Sequence, residues 1–159
     1  MSDEGSFKGL AISDGDEDVQ AAAPSTLVRI AGRVSTLAGV FSVVLGVQSF
    51  VNIRLVGFFA IAPFAQLLFG LGLAICGWML SRGRGWAAIG SAALGAVTVL
   101  STIVFSVTAL LGGYVTLMPV FVIISGVAGA VMAGVGIGEC LRADKARERL
   151  AAQGLDLGL

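Results

Sequence analysis

The sequence predicts an all-α, polytopic integral membrane protein with four transmembrane helices in an up-down bundle. Two observations carry this. Of 159 residues, 57% are hydrophobic and only 13% charged, far from the balance of a soluble domain. From Gly85 to Gly138 there is no Asp, Glu, Lys or Arg, and one crossing of a bilayer needs about 20 apolar residues, so this run holds two crossings and a turn. Val34 to Ile53 and Leu55 to Ser81 supply two more.

Residues 1–26 are polar and acidic, and "SDGDEDVQAAAPST" is too poor in large apolar groups to bury a core, so a disordered tail is expected. Asp14, Asp16 and Asp18 alternate like the first ligands of an EF-hand loop, but Val19 stands where that loop needs Gly and Ser25 where it needs Glu. The first span covers about 27–51, with Arg29 and Arg33 placed to snorkel toward headgroups. The second covers about 63–80, with Pro63 in the first turn, where a missing N–H breaks no bond. "SRGRG" at 81–85 makes a tight turn flanked by Trp78 and Trp86. The third span covers about 86–111, "GGYVTLM" turns the chain, and Pro119 opens the fourth, about 119–138. Residues 139–159 read as a charged helix and tail, since "ECLRADKARERLAAQ" mixes charges with good helix formers.

Charge sets the expected orientation. With a cytoplasmic N-terminus, every Lys and Arg except Arg54 falls inside, as the positive-inside rule requires. Both termini are therefore expected in the cytoplasm. The start, "MSDEGSFKGL", lacks the basic-then-apolar pattern of a cleaved signal. Abundant Arg, Ala, Gly and Val fit a GC-rich bacterial genome, hence a bacterial cytoplasmic (inner) membrane.

A displacement of 56 residues sets the first hairpin on the second: Pro63 meets Pro119, Gly70 meets Gly126, Ala74 meets Ala130, and Ser35 and Gly39 meet Ser91 and Gly95. This is a candidate tandem repeat of two hairpins, parallel about an axis along the membrane normal.

The stretch "GVAGAVMAGVGIG" at 126–138 is not a phosphate loop. A G-x-G-x-x-G pattern would need Gly where Ala128 and Val131 stand, and no lysine follows. Gly126, Ala130, Gly134 and Gly138 instead recur every four residues, a small-residue stripe that lets helix backbones approach in lipid. Ser35, Gly39, Ser42 and Gly46, continuing to Ser49, alternate four and three, as do Ser91, Gly95, Thr98 and Thr102, which suits a left-handed seam. The first and third spans are expected to pack together along these faces.

Reactive groups are scarce. There is no histidine, which removes imidazole ligands and general bases, and no Asp, Glu or Lys lies inside a span to relay protons. No metal, cofactor or nucleic-acid partner is indicated, and Cys76 and Cys140 do not form a disulfide framework. Cys140 at the membrane boundary is a candidate for palmitate. Gln48 and Gln66 can bond across helices or line a path for a neutral solute. Glu139 lies within reach of Arg82 or Arg84, and the inner basic residues should attract anionic lipid headgroups. The expected role is non-enzymatic: helix–helix association, as an accessory or scaffolding subunit of a membrane complex or as a homo-oligomer. The alternative is a small-solute carrier or passive pore with its path between repeats or protomers.

Overall fold

In a computed structural model, residues 19, 20, 22–52, 61–111 and 117–152 are described. They form four long helices: α1 (Thr26–Asn52), α2 (Ile61–Ser81), α3 (Gly85–Leu111) and α4 (Met118–Ala152). Each is long and apolar enough to cross a bilayer. The expected tail through Asp18, the Arg54 loop, the Tyr114 turn and the chain after Ala152 lie outside the described residues.

Local chemistry explains the helix ends. Ser25 caps α1, its Oγ accepting the Val28 N–H at 3.3 Å. After α2, the Gly83 N–H donates to Leu80 O (2.7 Å) and the Arg84 N–H to Met79 O (3.3 Å). This is a Schellman turn, with Gly83 at φ 75° taking the left-handed conformation that a side chain would disfavour. Pro63 and Pro119 both sit in first turns, where no intrahelical donor is needed.

Around the bundle, each helix packs against its sequence neighbours and α4 closes the ring against α1. α1 and α3 face each other across the diagonal and barely touch. The expected α1–α3 seam is therefore divided: the small face of α1 receives α2 and α4, and that of α3 receives α4 and α2. Small residues are needed against every neighbour of a tight bundle, so their presence on two helices does not make those two adjacent.

Polarity is reversed relative to a soluble protein. The interior holds Ser35, Ser42, Ser49, Gln66, Ser91, Thr98 and Thr102, all buried, while Leu100 and Val135 lie 65% and 69% exposed among many outward aliphatics. Such a surface is stable only against hydrocarbon. Ring order, helix length and this reversal together identify a multi-pass membrane protein in a lipid bilayer.

Candidate functional site

Lipid gives inter-helix contact no hydrophobic reward, so backbone approach and dispersion hold the bundle. The closest approach is between α1 and α2. A methyl on Gly39 would lie 2.5 Å from Gly70 O and against the Ala74 backbone; one on Gly77 would lie 2.5 Å from Thr36 N. The second hairpin reproduces the first contact, 56 positions on and looser: a methyl on Gly95 would sit 3.0 Å from Ala130 Cβ and 3.4 Å from Gly126 O. Gly46 faces the Leu67 side chain and Pro63 O, and Gly126 faces Val99.

Along α4 as far as Ala143 the buried positions are Pro119, Val122, Gly126, Gly129, Ala133, Gly136, Cys140 and Ala143. They alternate three and four, the period of a left-handed seam. The four-residue stripe does not follow that seam, because each four-residue step advances about 40° around an α-helix. Gly126 is buried and Ala130 half-buried, whereas Gly134 and Gly138 are exposed. Among the described glycines tested with an added methyl, those two alone have no atom within 4 Å of it. Gly129 and Gly136 take the inner positions instead, Gly129 lying against Ser35.

The two glutamines do not share a site. Gln48 is exposed on the outer face of α1. Gln66 is 1% exposed and ties three helices together. Its Nε2 donates to Thr102 Oγ1, its Oε1 accepts from Ser101 Oγ at 2.8 Å, and its backbone O accepts from Ser42 Oγ at 3.1 Å. Thr102 and Ser101 also donate to Thr98 O at 2.7 and 2.9 Å, so both hydroxyls keep a partner without the glutamine. Gln66→Leu is therefore expected to cost only about 1 kcal/mol, whereas Gln66→Ala adds a cavity and costs about 2–4 kcal/mol. Unfolding titrations of both variants in mixed micelles check this order. Ser35 Oγ, Ser91 Oγ and Thr98 Oγ1 are buried with no hydrogen-bond partner among the described residues.

The end of the bundle bearing the 82–84 turn carries a second constellation, which the sequence did not single out. Arg147 on α4 donates from Nη1 to Gly83 O (2.8 Å) and Asp144 Oδ1 (3.3 Å). Its Nη2 donates to Ala22 O (2.8 Å) and Arg82 O (3.3 Å). Asp144 Oδ2 accepts the Gly85 N–H at 2.7 Å, capping the N-terminus of α3 from outside. Ser25 Oγ donates to Glu139 Oε2 at 2.6 Å, Arg82 stacks 3.9 Å over the Trp78 ring, and Ala22 packs with Ala146 and Leu150. Residues 22–25, read from sequence as tail, thus belong to the packed unit. Cys140 is 2% exposed, which withholds its thiol from acylation in this conformation.

Among the described residues no three His, Cys, Asp or Glu side chains come together as a metal site. No protein-family model, curated protein or solved structure matches the chain.

Proposed function

We propose that this chain is a non-enzymatic membrane protein that works by association, as a self-assembling homo-oligomer or an accessory or scaffolding subunit of a membrane complex. One observation carries the reading: Gly134 and Gly138 form an open, exposed notch on α4, while the other small residues at the seams are consumed inside the bundle. Val131 and Val135, 60% and 69% exposed, stand beside it, giving an incoming helix both a groove and a ridge. Gln66 is committed to interhelical bonds and Gln48 faces outward, which favours association over the small-solute carrier. The excess of Lys and Arg on one side of the spans supports an orientation with both termini inside, the abundance of Arg, Ala, Gly and Val supports a bacterial cytoplasmic membrane, and Arg29 and Arg33 on α1 suit anionic headgroups.

Gly134→Leu and Gly138→Leu are expected to leave helicity and melting temperature unchanged, since the added atoms enter open space. They should weaken association about tenfold or more, equivalent to about 1.4 kcal/mol. Crosslinking in native membranes and mass measurement after mild detergent extraction read the outcome. Wild-type chain recovered only as monomer without a partner, or full association by the leucine variants, overturns the reading.

A further inference from the structure

A cleft of about 230 Å³ lies where the N-terminal segment meets α4, with Gln20, Pro24, Ser25 and Val28 on one side and Glu139 and Arg142 on the other. Both walls are fixed. Arg147 Nη2 donates to Ala22 O at 2.8 Å, Ala22 packs with Ala146 and Leu150, and the Val28 N–H donates to Ser25 Oγ at 3.3 Å. The cleft is a standing feature of the fold, not a space that a ligand has to open.

Its depth is set by α4. With a rise of 1.5 Å per residue, Met118 to Gly138 covers about 30 Å, the thickness of the hydrocarbon core. Glu139 therefore lies at the edge of that core, and Arg142 about 4.5 Å farther along the helix, within a headgroup layer about 5–7 Å thick. On the hydrocarbon side a methyl on Gly136 would lie 3.3 and 3.8 Å from the Val28 and Leu27 side chains, and Leu27 is 40% exposed. An apolar seam between α1 and α4 thus begins one helical turn short of the charged wall.

Charge decides what the cleft can take. Glu139 and Arg142 are the charged residues of its described lining, one of each sign and both exposed. Ser25 Oγ donates to Glu139 Oε2 at 2.6 Å, which orients the carboxylate without neutralising it and leaves Oε1 able to accept. Arg142 makes no ion pair or hydrogen bond with another described residue, so its guanidinium fork is open to a phosphate. A simple anion would meet Glu139 and a simple cation would meet Arg142, whereas a molecule carrying both signs satisfies both. The two residues stand three positions apart on one helix face, a spacing that suits a phosphate with an ammonium two carbons away. The described lining holds no aromatic ring of the kind that cages a quaternary ammonium, but Glu139 Oε1 and the Gln20 amide oxygen can accept the N–H donors of a primary one.

We infer that the cleft binds the headgroup of phosphatidylethanolamine, with its phosphate on Arg142 and its ammonium on Glu139. Headgroup depth and the apolar seam beneath favour the lipid over soluble phosphoethanolamine.

Native mass spectrometry of the full chain tests this, with titration in detergent of phosphatidylethanolamine, phosphatidylcholine and phosphatidylglycerol bearing the same acyl chains. The expected result is one phosphatidylethanolamine bound about fivefold or more tighter than either of the others. Glu139→Gln should erase that preference and bring phosphatidylglycerol to parity or beyond, and Arg142→Gln should weaken phosphatidylethanolamine about fivefold or more. Lys145→Gln and Glu148→Gln, the same charge changes outside the lining, should alter neither result, and circular dichroism should show equal helix content in all four variants. Equal affinity for the three lipids, a preference that survives Glu139→Gln, the same losses in the two control variants, or soluble phosphoethanolamine binding as tightly as the lipid overturns the inference.

Discussion

Gly39→Ala is expected to destabilise the protein by about 1–3 kcal/mol, and Gly39→Leu to prevent the first hairpin from forming. The new methyl would stand 2.5 Å from the carbonyl oxygen of Gly70 and against the backbone of Ala74. Neither atom belongs to a side chain that can turn away, so relief requires α1 and α2 to separate and forfeit the dispersion contacts along their interface. The equivalent Gly95→Ala should cost less, because its nearest atom is the Ala130 Cβ at 3.0 Å. Gly134→Ala should cost nothing. Thermal melts followed by circular dichroism in one detergent give the ranking, and equal losses at Gly39 and Gly134 would refute the packing described.

Arg147→Ala is expected to release the junction at the charged end while leaving the spans folded. Its guanidinium, on a side chain 14% exposed, reaches three backbone carbonyls on two other segments and the Asp144 carboxylate on its own helix. Charge-assisted bonds of this kind contribute about 1.5–3 kcal/mol each, but here water can re-solvate the freed carbonyls, so the net loss is set near that of a single bond. Amide exchange at Gly83, Gly85 and residues 22–25 should accelerate roughly 10–100-fold, the equivalent of about 1.4–2.8 kcal/mol. Arg147→Lys should behave almost like alanine, because an ammonium cannot present the planar fork that holds several acceptors at once. Unchanged exchange in both variants would show that Arg147 does not hold the junction.

Helix positions were legible because the bilayer imposes them. A run without charge has to be helix in hydrocarbon, and Pro63, Pro119 and Gly83 mark turns by local backbone chemistry. Neighbour relations were not legible, because interior and lipid-facing positions are equally apolar and hydropathy cannot tell them apart. The stripe on α4 shows the consequence. Gly126, Ala130, Gly134 and Gly138 form the most regular pattern, yet the buried set alternates through Gly129, Ala133, Gly136 and Cys140, a period obscured by the abundance of small residues in that span. Gln66 stood out as a lone amide in an apolar run, but its partners Ser101 and Thr102 resembled their neighbours. Arg147 was hidden among other charges, and only the fold shows that it meets carbonyls from two other segments.

The unbroken course of α4 has a mechanical consequence. A continuous α-helix bends little over a few turns, so a tilt of about 5° about its Gly126 contact would carry Ala152 sideways by ~3 Å. Any such tilt would carry the 82–85 turn and the capped start of α3 with it, since both are bonded to Arg147 and Asp144.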